Sequence, residues 1–266
     1  MKDILLYFGL KTRPFDKSLK SSKALETEPL AECSARLDYV RTRGGTMLLT
    51  GDPGVGKTLA IRRFADNLNP SRFRCVYTPL STLKGTDILR HINNCLGLPT
   101  RNAKSVLFSQ VQQEILESRE QRGRTIVLIL DEAQLLSQPT LDEIRLLTNF
   151  KMDSYDPFIL ILAGQTSLKR IMDSAAMEPL AQRLNMRYSM SPLSSAGTAD
   201  YVNHHMKLAG ATEPLFDESA LKALHEISHG LPRRIGTAAE KALHYAAFAE
   251  HRSIDADTVL KSNSDK

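Results

Sequence analysis

The sequence predicts an α/β fold in which a parallel sheet is sandwiched by helices and followed by a small all-helical lid. Three observations predict it. First, apolar runs of strand length at 46–50, 73–77, 126–130, 158–163 and 187–190 alternate with longer segments of helical spacing, such as Leu107, Val111, Ile115 and Leu116. Short, near-continuous apolar strands alternating with helices imply a parallel sheet covered on both faces. Second, strand signals stop after Pro192, and helical stretches follow at about 197–209, 217–229, 232–251 and 255–261. Third, a glycine-rich turn joins the first apolar run to the helix behind it. The expected division is an α/β core over 1–191, with an N-terminal segment 1–45, and a helical lid over 192–266.

The turn carries the chemistry. Gly51-Asp52-Pro53-Gly54-Val55-Gly56-Lys57-Thr58 matches the pattern G-x-x-x-x-G-K-[ST] and leads into a helix at Leu59, and all nine residues are expected to contact the bound nucleotide. Glycines let the backbone curl so that successive N–H groups face an anion. The helix N-terminus adds partial positive charge. In this pattern Lys57 reaches the β- and γ-phosphates of a nucleotide, and the Thr58 hydroxyl ligates Mg²⁺. The run at 126–130 reinforces the reading, because it ends in Asp131-Glu132. Two carboxylates at the carboxyl end of a buried strand are costly unless they serve a ligand. Asp131 is expected to bind Mg²⁺, directly or through water, and Glu132 to orient and polarise the attacking water.

Composition narrows the class further. A chain of 266 residues is long enough to fold around a core without disulfide or metal staples. No apolar run approaches the roughly 20 residues of a membrane helix. The opening lacks an apolar stretch followed by a small-residue cleavage site, so no secretory signal is expected. Cys33, Cys75 and Cys95 are scattered and odd in number, which fits thiols in a reducing cytoplasm. A cytoplasmic protein without a membrane partner is the expectation. Charge is uneven: residues 1–124 carry 21 basic against 12 acidic side chains, or +9, and residues 125–266 carry 14 against 18, or −4. The densest stretch, 57–104, holds nine basic and two acidic residues. Such a surface attracts polyanions by counterion release. A solvated basic face, partly serving the nucleotide, accounts for it equally well.

A competing pattern lies in the lid. His225-Glu226-Ile227-Ser228-His229 matches H-E-x-x-H, whose imidazoles share a helix face and can bind zinc. Gly230 directly after His229 reads instead as a helix end, so both histidines are taken as lid residues. Asp217 and Asp255 are expected N-caps.

Further residues resemble the AAA+ ATPases, and within them the ExeA-like and TnsC/TniB-like branch. Phe8-Gly9-Leu10 followed by Pro14-Phe15 is similar to the opening of ExeA-like proteins, which implies a place for Pro14 and Phe15 near the adenine. Ile161-Leu162-Ala163-Gly164-Gln165 resembles the fourth core strand with its sensor-1 residue, here Gln165. Pro179-Leu180-Ala181-Gln182-Arg183-Leu184 resembles the helix whose arginine reaches a neighbour's nucleotide; Arg183 is the matching finger in trans, with Arg187 the alternative. Gly230-Leu231-Pro232-Arg233 resembles the lid's sensor-2 pattern, with Arg233 as the sensor and Arg234 its alternative.

The resemblance implies an AAA+ P-loop fold, ATP with Mg²⁺ as cofactors, and a homo-oligomeric ring or helical filament. Its TnsC-like side implies assembly on duplex DNA and regulation of transposition, by selecting target DNA and recruiting a transposase or targeting protein. Lys84, Thr86, Arg101 and Lys104 are then the expected phosphate contacts, which position a protein without reading sequence. The alternatives are an ExeA-like secretion or assembly ATPase and a nucleotide-dependent adaptor that does not hydrolyse. The intact Asp131 and Glu132 disfavour the adaptor.

Overall fold

The computed structural model describes residues 3–79 and 85–264. In chain order the elements are α1 (Ile4–Phe8), α2 (Glu28–Arg43), β1 (Gly45–Gly51), α3 (Lys57–Asp66), β2 (Phe73–Thr78), α4 (Gly85–Cys95), α5 (Lys104–Glu120), β3 (Thr125–Leu130), α6 (Gln138–Leu147), β4 (Ile159–Gly164), α7 (Thr166–Met172), α8 (Glu178–Ala181), β5 (Leu184–Met190), α9 (Ser195–Ala209), α10 (Glu218–Ser228), α11 (Pro232–Ala249) and α12 (Ala256–Asn263). The chain divides into two compact units. One comprises Cys33–Gly51 and Lys57–Met190; the other gathers Met1–Glu32, Asp52–Gly56 and Ser191–Lys266.

The first unit is a five-stranded sheet in the order β2-β3-β4-β1-β5, with every pairing parallel. Each residue of β1, β3 and β4 is buried. In β3 and β4 the apolar runs are long, and in β1 Met47-Leu48-Leu49 is flanked by the buried Thr46 and Thr50, as a sheet covered on both faces allows. Leu48, Leu128 and Leu160 belong to one core cluster with Ile88 and Ile92 of α4, Val111 and Ile115 of α5, and Ile144 of α6. The edge strands alternate instead. β5 begins at Leu184, three residues before the expected 187, because Leu184-Asn185-Met186-Arg187 alternates and half of it faces water. Where the β1–β5 register shifts, the Asn185 side chain accepts the Thr46 N–H at 2.7 Å. Gly45 makes room for it: a Cβ there would lie 2.0 Å from the Asn185 amide oxygen.

The second unit is helical, with its own core of Val202, Met206, Leu224, Ile235, Leu243 and Val259, among others. Its caps are those read from the sequence. Asp217 accepts the Ala220 N–H and Asp255 the Thr258 N–H, each at 2.8 Å. Pro232 opens α11, where its missing N–H costs nothing. Ala238, Ala239, Ala242 and Ala246 line the buried face of α11. No helix among the described residues is long and apolar enough to cross a membrane.

The turn between α10 and α11 is the tightest point of this unit. His229 ends α10 in the left-handed conformation, and Gly230 follows at φ +70°. The Leu193 N–H donates to the Gly230 carbonyl at 2.9 Å, and a Cβ on Gly230 would fall 2.1 Å from the Leu193 carbonyl oxygen. Gly230→Ala meets both a backbone clash and an unfavourable φ. It is expected to cost about 2–5 kcal/mol, read as a lower urea midpoint at unchanged slope.

Candidate nucleotide and metal site

Parallel sheets present ligands at the carboxyl ends of their strands, and three such ends meet in the sheet unit. β1 delivers Gly51, and α3 opens with Lys57 and Thr58. Lys57 is 6% exposed, and its ammonium donates to the Gly51 carbonyl at 2.8 Å. β3 delivers Asp131, which is 4% exposed. One Asp131 oxygen, Oδ2, accepts the Thr58 hydroxyl at 3.2 Å and the Tyr77 hydroxyl at 2.8 Å; the other, Oδ1, accepts the Glu132 N–H at 2.9 Å. Three hydrogen bonds offset the desolvation of this carboxylate. Thr58 and Asp131 thus form a pair of hard oxygen donors. Mg²⁺ suits such a pair, since it takes one or two protein ligands and fills its octahedron with water and phosphate oxygens.

Glu132 sits in the left-handed region at φ 54°, ψ 34°. Its Oε2 accepts the Gln134 amide at 2.6 Å and, more weakly, the Gln165 amide at 3.4 Å. Gln165 occupies the N-cap position of α7 without a side-chain cap bond, and its side chain turns to Glu132 instead. Sequence reasoning missed two residues here. Tyr77 lies on an edge strand with an alternating pattern, and Gln134 lies in a short 3₁₀ turn. Only the tertiary approach of β2 and β4 to the end of β3 reveals them. Burial, then the Asp131 hydrogen bond and the charges of Asp131 and Glu132, hold the Tyr77 proton on well above the usual phenol range.

In the helical unit, the loop residues Asp52–Gly56 meet the start of α11. The Val55 N–H donates to the Asp52 carbonyl at 3.2 Å. The Arg233 N–H, one of the donors a helix start leaves without a partner, reaches the Gly54 carbonyl at 3.3 Å. Gly54 has φ +87°, and a Cβ there would lie 2.8 Å from the Arg233 Cβ. Pro53 is exposed and Pro14 buried. Phe15 stacks on His205 with centroids 5.0 Å apart, and Tyr201 lies beside both. Phe15 also packs on Gly236, where a Cβ would come within 3.2 Å.

Most of the other expected site residues have partners of their own or are solvent-facing. Arg183 donates to the Thr148 hydroxyl at 3.1 Å and pairs with Asp153, leaving its side chain 19% exposed. Arg187, on β5, pairs with Asp173 at 2.9 Å and is 44% exposed. Lys84 lies outside the described residues. Thr86 is half-buried in the first turn of α4, and Arg101 is exposed. Lys104 is exposed but paired with Glu143 of α6, so its charge is already partly compensated. His225 hydrogen-bonds Thr198 through Nδ1 at 2.9 Å, with His229 at the helix end beyond it.

The family of proteins described as an AAA domain matches residues 40–172, half of the chain. The chain belongs to that family. It is 33% identical over 259 residues to General secretion pathway protein A of Aeromonas hydrophila, which covers 96% of this chain and 47% of that protein. The chain therefore spans about half the length of this curated relative. Among solved structures it is similar to Cdc6p of Pyrobaculum aerophilum, with a TM-score of 0.63, 19% identity, and coverage of 93% of this chain and 69% of that one. It is also similar to the RuvB Holliday junction branch migration motor of Thermotoga maritima, with a TM-score of 0.57, 20% identity, and coverage of 90% and 68%. At these identities the likeness shows the fold: the five-stranded parallel sheet flanked by helices, with a helical region after it.

Two outcomes follow from the site. Gly54→Ala is expected to displace the start of α11 from the loop and weaken nucleotide binding about tenfold or more, measured by titration with a fluorescent ATP analogue. The second concerns His205. Burial first, and then the charge of His204, push its imidazole down to about 4. A histidine held neutral in the fold contributes stability in full above its unfolded value near 6.5. That stability is lost as pH falls from about 6.5 towards 4. His205→Gln should flatten the acid side of the stability–pH curve by a few kcal/mol, read by denaturant unfolding between pH 7 and 4.5.

Proposed function

We propose that this chain binds Mg²⁺–ATP and hydrolyses it, and that it works as an oligomer in a general secretion pathway. The observation that carries the hydrolysis is the Asp131 carboxylate, bonded to the Thr58 hydroxyl through one oxygen and to the Glu132 backbone through the other. Lys57 and the loop Gly51–Thr58 would hold the phosphates, and the resemblance to ExeA-like proteins assigns Pro14 and Phe15 to the adenine. Thr58 and Asp131 would hold Mg²⁺, whose chemistry there would be to neutralise charge on the phosphate oxygens. Glu132 accepts a proton from the attacking water as the water oxygen bonds to the γ-phosphorus. The bond from that phosphorus to the bridging oxygen breaks, leaving ADP and inorganic phosphate. Gln165 holds the water, and Arg233 registers the γ-phosphate. A neighbouring copy supplies Arg183, or Arg187 in its place, and such a finger contributes about 10³–10⁵ in rate in other systems. The secretion role rests on the likeness to General secretion pathway protein A across nearly the whole chain.

A second reading keeps the same chemistry and sets the oligomer on duplex DNA, where it selects target DNA and recruits a transposase. Nine basic residues against two acidic ones over 57–104, and the exposed Arg101, favour it. Lys84, Thr86, Arg101 and Lys104 are its phosphate contacts.

Glu132→Gln should lower phosphate release by about 10²–10⁴ while leaving ATP affinity intact, and Lys57→Ala should weaken ATP binding about 10- to 100-fold. Hydrolysis by wild type that is indifferent to duplex DNA supports the secretion reading. DNA-stimulated hydrolysis that Arg101→Ala with Lys104→Ala abolishes supports the second. A Glu132→Gln variant as active as wild type removes both.

A further inference from the structure

We infer that Gln134 is the positioning residue for the hydrolytic carboxylate, tying Glu132 to the end of β4 through Gln165. The inference rests on the ATPase reading above and adds a residue to it. Its basis is the orientation of one carboxamide. The Gln165 backbone N–H, which can only donate, lies 3.0 Å from the Gln134 side-chain oxygen. That bond fixes which way the amide faces, so its NH₂ end must point away from Gln165. It points at Glu132 Oε2, 2.6 Å away. The reverse orientation would set NH₂ against N–H at one end and a carbonyl against a carboxylate at the other. Both ends of Gln134 are thus satisfied in one orientation only.

Three further features fit this role. The Gln165 side chain donates to the same oxygen, Oε2, at 3.4 Å. Oε2 is therefore occupied twice, and among the described residues Oε1 is the oxygen left to take a proton from water. The backbone of Glu132 is also fixed, because its left-handed conformation is held by the N–H bond to Asp131 at 2.9 Å. Such a conformation costs about 1–2 kcal/mol in a residue with a Cβ, and the surrounding bonds maintain it. Finally, the space for Gln134 is reserved by Gly164, the last residue of β4. A Cβ at Gly164 would lie 2.5 Å from the Gln134 amide oxygen. Carboxylate, amide, backbone and glycine form one chain of contacts from β3 to β4, so any shift of Gln165 moves the catalytic carboxylate.

The test measures kcat and KM for ATP in Gln134→Ala and Gln134→Glu, beside wild type and Glu132→Gln. Both Gln134 variants are expected to lose kcat roughly 10- to 100-fold, as partners that orient a catalytic group do. KM and nucleotide affinity should stay within about twofold, since only the transition state loses the interaction. Gln134→Glu preserves size but faces Glu132 with a second carboxylate, so it should lose at least as much as alanine. If the alanine variant does not fold, the glutamate variant decides alone. Wild-type kcat in Gln134→Ala, a raised kcat, a change in KM alone, or full activity in Gln134→Glu overturns the inference. Failure of the ATPase reading looks different: wild type does not hydrolyse ATP, or Glu132→Gln hydrolyses it normally. An inactive Glu132→Gln beside a normal Gln134→Ala defeats the Gln134 role and leaves that reading standing.

Discussion

The buried carboxylate of Asp131 is the constraint on which the rest of the site depends. A carboxylate at 4% exposure carries a desolvation cost of several kcal/mol unless hydrogen bonds replace its water. Here Thr58, Tyr77 and the Glu132 backbone replace it. Each of these donors is placed by a different part of the chain: the first turn of α3, the edge strand β2, and the residue after β3. Satisfying one charge therefore fixes the Thr58 hydroxyl and the path of Glu132 together. Asp131 itself is anchored by its own N–H, which donates to the Thr78 carbonyl at 3.1 Å as the β2–β3 ladder ends.

The sheet makes that placement rigid. β3 has strand neighbours on both sides and buried residues along its whole length, so its carboxyl end cannot fray as an edge would. β4 ends one ladder over, with Gly164 and Gln165 in position to meet the residues after β3. In the helical unit the comparable device is smaller: a helix-start N–H of α11 closes on the Gly54 carbonyl, and the glycine leaves space for it. In both places a glycine without a side chain lets a neighbouring residue approach closely: Gln134 at Gly164 and Arg233 at Gly54.

Much of this was legible in the sequence. β3 and β4 appear as long apolar runs because both of their faces are covered, and two lid helices announce themselves through their caps, Asp217 and Asp255. The loop with Lys57 and Thr58, and the pair Asp131-Glu132, stand out in the sequence because each is a contiguous pattern behind an apolar run. What escaped depends on distant contacts. Gln134 looks like any polar turn residue until β4 is beside it. Tyr77 looks like an ordinary edge-strand aromatic until its hydroxyl meets Asp131, 54 residues on. Lys104 reads as a free positive charge, and its pairing with Glu143, 39 residues away, has no local signature. The early start of β5 was hidden because a half-exposed strand shows alternation rather than an apolar run.

Calorimetric titration of ATP into wild type and Asp131→Asn, with and without Mg²⁺, tests the central claim most directly. Wild type should bind ATP more tightly when Mg²⁺ is present. The asparagine variant, still folded, should bind equally with and without it and release no phosphate. An Asp131→Asn variant that keeps both the Mg²⁺ enhancement and the wild-type rate of phosphate release would contradict the account.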